Sequence, residues 1–296
     1  MKRISVRADA ATPASLGALV NELSAELESA GVPTPRDEAR DIVAAVLDLP
    51  RFWPTANRDA LVDATAVDEA RRAAAARSRG APFAYAVGRA AFRYLTLAVD
   101  ERVLIPRQET EILVDLVLGA ERGGRGTVID VGTGSGAIAL ALATEGTFDR
   151  VIATDVSRDA LAVAESNAAF LRDDLGVPVE FFHGSLLAPV RDVPARVVVS
   201  NPPYIAFAEL ELLPASVRDW EPPLALLSAD QGLAATRQII HEARSVLESG
   251  GLLAFEVDTR RASLVAEAVA TDGAYADVAV HLDLTGRERF VLARRR

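Results

Sequence analysis

Cysteine is absent from this chain, which excludes disulfides and thiolate chemistry. Histidine is scarce, and His183, His241 and His281 are scattered without the spacing of metal ligands, so no metal site is expected. No uninterrupted apolar stretch of about eighteen residues occurs, which excludes a membrane-spanning helix. The start, Met1-Lys2-Arg3-Ile4, lacks the apolar core of a signal peptide, and the expected location is the cytoplasm. Basic residues are outnumbered, 32 Lys and Arg against 42 Asp and Glu for a net charge of −10, which argues against a broad nucleic-acid footprint. The closing run Arg294-Arg295-Arg296 is expected to be a frayed, solvated tail rather than a binding patch. What remains is ordinary for a globular protein, 50% hydrophobic and 25% charged. A length of 296 residues suits one large domain or two unequal ones.

The first third reads as helical. Thr12 can cap a helix with Pro13 in its first position, and Leu16, Leu19, Val20, Leu23 and Leu27 have helical spacing up to a stop at Gly31. A second helix is expected to open at Thr34-Pro35, with Asp37 and Glu38 in its first turn, and to bury Ile42, Val43, Val46 and Leu47 before Pro50. A third, alanine-rich segment runs from about Asp63 to Arg77 and stops at Gly80. Phe92 to Val99 reads as a β-hairpin. Beyond it strand and helix alternate, as a doubly wound α/β sheet requires. Strands are expected at 127–131, 150–154, 178–182, 196–200 and 251–257, with an antiparallel pair near 277–282 and 288–294. Gly250-Gly251 should separate the helix ending at Leu247 from the fifth strand. No internal repeat is present.

Two short motifs carry chemistry. Asn201-Pro202-Pro203-Tyr204 follows the β-branched run Arg196-Val197-Val198-Val199-Ser200. Neither proline can donate to a sheet ladder, and each pushes its predecessor into an extended conformation. The result is a stiff loop at a strand's carboxyl end, where open α/β sheets bind ligands. It offers the Asn201 side-chain oxygen and the Pro202 carbonyl as two acceptors, which suits a planar –NH2 group. Tyr204 reads either as the wall against that group or as ordinary core filling. The second motif follows the strand Thr127-Val128-Ile129-Asp130-Val131 and comprises Gly132-Thr133-Gly134-Ser135-Gly136. Its glycines let the backbone turn sharply beside a ligand, and the helix behind offers unpaired N–H groups. Asp155 ends the next strand, where a carboxylate takes the hydroxyls of an adenosine ribose.

A dinucleotide is one possible occupant, because Gly132, Gly134 and Ala137 also satisfy the looser G-x-G-x-x-G/A pattern. Hydride transfer needs a proton-handling residue downstream, and the candidates there are poor. S-adenosylmethionine instead needs an acidic residue in the first strand near its amino group, which Asp130 supplies, and an acceptor-lined pocket beside its methyl. The two motifs together favour the methyl donor.

Several further segments sharpen the reading. They are Arg79-Gly80-Ala81-Pro82-Phe83-Ala84-Tyr85, Leu104-Ile105-Pro106-Arg107-Gln108-Glu109-Thr110-Glu111, Glu221-Pro222 with Ala225-Leu226, and Asp283-Leu284-Thr285-Gly286-Arg287-Glu288-Arg289. With the two motifs they cover almost the whole length, and the chain resembles the HemK/PrmC family. That resemblance implies transfer of a methyl group from S-adenosylmethionine to the side-chain amide of a glutamine, in the GGQ motif of peptide-chain release factors. It also implies a seven-stranded Rossmann-like methyltransferase domain at 106–296, a β-hairpin linker at 89–105 and a helical substrate-recognition domain at 1–88. The implied donor site comprises Asp130, Gly132, Thr133, Gly134, Ser135, Gly136, Asp155, Leu186 against the adenine, and Asn201. The implied substrate site comprises Asn201, Pro202, Pro203 and Tyr204. Arg107, Glu109 and Glu111 lie either at the substrate entrance or in a salt-bridged helix start.

The chain departs from the family pattern at three places. Ser185 stands where the family usually has an acidic residue, Gln231 replaces the aspartate of Asp-Gly-Leu, and Asp258 replaces the glycine of Glu-x-Gly. The last two are expected to lie away from the methyl-transfer motif. The partner is expected to be a release factor, with no nucleic acid as direct substrate, no membrane and a monomeric enzyme. Two alternatives stay open from sequence: an adenine amino-group methyltransferase using the same Asn-Pro-Pro-Tyr chemistry, and a catalytically silent cofactor-binding module.

Overall fold

The computed structural model describes residues 14–296, and the chain divides into two compact units, Met1–Gly88 and Arg89–Arg296. In the first unit, helices Leu16–Ser29, Pro35–Val46 and Ala64–Ser78 pack their apolar stripes together. Leu16, Leu19, Leu23 and Leu27 are buried with Ile42, Val43, Val67 and Ala70. Val46 and Leu47, expected in this core, are only half-buried at the end of their helix. Ser15 caps the first helix by accepting a hydrogen bond from the Ala18 N–H, while Thr12 and Pro13 lie outside the described residues. Asp63 caps the third helix through the Ala66 N–H. Two short helices, Trp53–Ala56 and Phe83–Val87, were not expected, because one turn is too short to show a period.

The second unit is built on a seven-stranded sheet. Its strands are β1 (Thr127–Val131), β2 (Arg150–Asp155), β3 (Val179–His183), β4 (Ala195–Ser200), β5 (Leu247–Glu256), β6 (Tyr275–Leu282) and β7 (Glu288–Arg295). The order across the sheet is β6-β7-β5-β4-β1-β2-β3, parallel except for β7, which runs against both neighbours. Long helices alternate with the strands: α1 (Gln108–Ala120), α2 (Ala137–Glu145), α3 (Arg158–Phe170), α4 (Ala234–Val246) and α5 (Ala262–Asp272). Helix α2 is buried on nearly every side from Ala137 to Ala143, which explains why its sequence has no polar face. The strand order reverses between the parallel neighbours β1 and β4, so the two loops that carry the motifs open into one crevice.

The start of the fifth strand and the end of the chain need correction. Strand β5 starts at Leu247 rather than 251, because Ala195 pairs with Leu247 and the next pair is Val197 with Leu252; Gly250, at a φ of 75°, absorbs the extra residues as a bulge. The hairpin forms as Arg89–Phe92 with Leu95–Ala98 and is packed into the second unit. Phe92, Leu95 and Leu97 join the core, and the Arg93 guanidinium binds Glu145 and Asp115. The final arginines do not fray. Arg294 bonds the buried Glu121 carboxylate and the Ala120 carbonyl, Arg295 the Arg244 and Ala274 carbonyls, and Arg296 the Tyr275 carbonyl. The buried Glu121 carboxylate and these backbone carbonyls accept from the three guanidinium groups, which ties the end of the chain down.

Candidate active site

Two adjoining cavities occupy the crevice above the sheet. The larger, about 440 Å3, has Gly132, Gly134, Asp155, Ser185, Leu186, Asn201 and Pro203 on its wall. The smaller, about 180 Å3, is lined by Arg107, Asn201, Pro202, Tyr204, Leu213 and Val217 among others. Leu104, Asn201 and Ala225 border both. Asn201 therefore stands at the passage between them.

The glycine loop is shaped by its own hydrogen bonds. Gly132 and Gly134 take φ values of 74° and 57°, which L side chains resist, and the space a Cβ would occupy is open. Gly136 has φ 86°, and an added Cβ would come within 3.0 Å of the Leu140 side chain and 3.3 Å of Ala164. Thr133, Ser135, Gly136 and Asp130, expected to touch the donor, are not on the cavity wall. The Thr133 hydroxyl donates to Asp130 Oδ2 at 2.7 Å, the Ala139 N–H reaches the same oxygen at 3.2 Å, and the Ser135 carbonyl accepts from Asn167 Nδ2 at 2.9 Å. In a tight loop alternate residues face inward, and Thr133 and Ser135 are the inward ones, both buried. Asp130 is completely buried, its Oδ1 has no partner, and burial pushes its carboxyl up to about 7.

Asp155 is on the wall, with Oδ2 accepting from the Gly134 N–H at 2.9 Å and Oδ1 from the Ser157 N–H at 2.8 Å. Burial raises its carboxyl above the ordinary value, and these backbone donors work against the rise. Leu186 sits on the wall in a left-handed conformation, φ 48°, with its carbonyl held by the Thr154 hydroxyl at 2.9 Å.

Pro202 and Tyr204 line the smaller cavity, whereas Pro203, expected with them, lines the larger one. Successive residues of an extended segment point to opposite sides, so the motif serves both cavities. Tyr204 is buried enough that its phenol is pushed up to about 12 and stays neutral. Arg107 reaches the smaller cavity and binds the buried Glu221 carboxylate at 2.5 Å. Glu111 instead accepts from the Arg93 N–H at 3.1 Å and anchors the hairpin turn.

Sequence reasoning missed two residues. Asn201 Nδ2 donates to the Thr110 hydroxyl at 3.2 Å, and that hydroxyl donates to Glu256 Oε2 at 2.6 Å. Thr110 lies in the first turn of α1 and Glu256 ends β5, both buried. Their separation from Asn201 along the chain left no local signal beyond the motif segments that contain them. The Asp258 and Gln231 positions are also closer to the motif than expected. Gly232 lies against Tyr204, where a Cβ would meet its carbonyl oxygen at 2.2 Å. Arg261 binds the Gln231 carbonyl, Asp258 and Glu209 together.

Known proteins resemble the chain in sequence and in fold. The family model "PrmC N-terminal domain" matches residues 18–88, and "Methyltransferase small domain" matches residues 108–213. The chain is 39% identical over 280 residues to a release factor glutamine methyltransferase of Deinococcus radiodurans, covering 94% of this chain and 97% of that one. It is 39% identical over 283 residues to one of Moorella thermoacetica, covering 95% and 98%. The chain belongs to the release factor glutamine methyltransferase family. Among solved structures the hMettl16 catalytic domain matches with a TM-score of 0.54 at 17% identity, over 80% of this chain and 84% of that one, and shares the fold.

Release factor glutamine methyltransferases take S-adenosylmethionine as donor, and the larger cavity fits it. Its volume lies in the range of small-molecule sites. Its wall combines open backbone at Gly132 and Gly134, a carboxylate at Asp155 and an apolar side chain at Leu186, a mix of polar and apolar surface that suits a ligand of that composition.

Proposed function

We propose that this enzyme methylates the side-chain amide nitrogen of a glutamine in a peptide-chain release factor. The observation that carries the reading is Asn201 at the border of the two cavities, with its –NH2 group donating to the Thr110 hydroxyl and its oxygen left as an acceptor. Gly132, Gly134, Asp155, Ser185 and Leu186 would hold the donor. When bound, S-adenosylmethionine supplies a methyl group activated by the positive charge on sulfur.

Everything else falls to the chain. An amide nitrogen is a poor nucleophile, because its lone pair is delocalised into the carbonyl. Asn201 Oδ1 and the Pro202 carbonyl accept hydrogen bonds from the two amide N–H groups and fix the nitrogen in position. They also stabilise the positive charge that grows on it. Tyr204, neutral at any physiological pH, closes the cavity as a wall. No general base is required, since the extra proton on nitrogen is lost to solvent after transfer. Residues 1–88 supply docking area for the release factor. The enzyme works in the cytoplasm as a monomer.

The test is incubation with methyl-labelled donor and either a release factor or duplex DNA, followed by location of the label. Label on a glutamine amide is expected; label on adenine would overturn the reading in favour of a nucleic-acid substrate.

A further inference from the structure

We propose that Thr110 and Glu256 are positioning residues that dictate which end of the Asn201 amide faces the substrate. The inference rests on the reading of Asn201 as the acceptor for the glutamine N–H. An asparagine amide is almost symmetric in shape, so sterics do not choose between its oxygen and its –NH2 group; only hydrogen bonding does. Presented the wrong way, Asn201 would set a donor against the donors of the substrate amide.

The choice is made by a chain of bonds with one allowed direction. A carboxylate accepts and never donates. Glu256 Oε2 takes the single hydroxyl proton of Thr110 at 2.6 Å, so the Thr110 oxygen keeps only its acceptor role. The group facing it at 3.2 Å must then be the Asn201 –NH2, which turns Oδ1 away from Thr110. Glu256 is 1% exposed and Thr110 5%, so water is not available to substitute for either. A glutamine or a protonated acid at the same place donates as well as accepts, and releases the constraint.

The charged surroundings of Glu256 set when the constraint holds. Arg107 and Glu109 face it from the segment that opens α1, Arg289 from β7, and the Tyr204 phenol from the motif. Burial raises its carboxyl to about 7, with the Thr110 bond and the charges of Arg289 and Arg107 opposing the rise. Above that pH the carboxylate enforces the polarity; below it the acid can reverse the chain.

Kinetics of four enzymes on a release factor test this: wild type, Thr110→Ser, Thr110→Val and Glu256→Gln. Thr110→Val should lose kcat by about tenfold or more, the cost of a buried amide left without its partner, with KM little changed. Thr110→Ser should restore most of the rate. Wild-type kcat should fall as pH drops through about 7, and Glu256→Gln should lack that step. An unchanged kcat in Thr110→Val, or a pH step that survives in Glu256→Gln, would overturn the proposal. A readout without turnover covers variants that fail to fold. In the wild type, side-chain NMR should show the Asn201 –NH2 signals shifting with the same midpoint as the Glu256 carboxyl carbon, and signals indifferent to that titration would also overturn it. Failure of the wild type to methylate any release factor counts against the proposed function alone, because the NMR experiment reads the bond chain with no substrate present.

Discussion

Asn201 concentrates the chemistry of this protein in one side chain. Removing it takes away a hydrogen bond to a nitrogen that gains charge during the reaction, so Asn201→Ala should reduce the rate on the order of 100-fold or more. Donor affinity, measured by calorimetry, should change comparatively little; near-normal methylation would refute the amide-holding role. Asp155 behaves differently, because its carboxylate lines the donor cavity while also holding the Gly134 and Ser157 N–H groups. Asp155→Ala should weaken S-adenosylmethionine binding by about 1.5–3 kcal/mol, the range for a charge-assisted hydrogen bond. Unchanged affinity would remove it from the donor site. Asp130 has a purely structural consequence. Burial lifts its carboxyl from 3.8 to about 7, so in that window the folded chain holds a proton that the unfolded chain has released. The stability it contributes is present below the unfolded value and is lost as pH rises through about 7. Melting temperatures of wild type and Asp130→Asn should therefore converge, or cross in favour of the variant, as pH goes from 4 to 7; a gap that widens in favour of wild type over this window would contradict the assignment.

At the scale of elements, the site depends on a splint formed by helix α3. The Asn167 side chain accepts from the Ala98 N–H at 2.7 Å and donates to the Ala98 carbonyl at 3.0 Å and the Ser135 carbonyl at 2.9 Å. One buried amide thus joins the hairpin to the glycine loop. Asn167→Ala leaves these backbone groups without partners inside the protein, and should destabilise the fold by about 2–4 kcal/mol in denaturant unfolding. Donor binding should weaken in the same variant, because the loop that carries Gly132 and Gly134 loses its brace. A stable variant with normal donor affinity would show that the loop holds its shape through Asp130 and Thr133 alone. The hairpin is accordingly part of the catalytic unit's core, with Phe92 and Leu97 fully buried.

For the whole molecule, the question is what the first 88 residues do. They form a separate compact unit with its own core, and they match a family model of their own. A single glutamine-bearing loop in a cavity of about 180 Å3 cannot bury the roughly 1,000 Å2 of a specific protein complex. A chain beginning at Arg89 should stay folded and bind donor, yet lose most of its activity on an intact release factor. Full activity would refute the docking role, and insolubility would show that the helical unit serves the fold instead.

The sequence by itself determined the succession of strands and helices along the chain, the two motif loops and the family. Each depends on residues close together in sequence: β-branched runs, glycines at positive φ and prolines that cannot join a ladder. Asn201, Asp155 and Tyr204, which line the two cavities, were picked out by the same local patterns. Only the tertiary structure decided which loop residues reach the cavity and which turn inward, because Thr133 and Ser135 are chosen by Asp130 and Asn167 at a distance. It also revealed the closing arginines as structural: Arg294 pairs with Glu121, 173 residues away in the chain, and Arg295 and Arg296 bond backbone carbonyls. The same holds for Thr110, which meets Asn201 across 91 residues and Glu256 across 146. Local pattern has a range of a turn or a strand, whereas a hydrogen-bond chain is set by which elements the fold brings side by side.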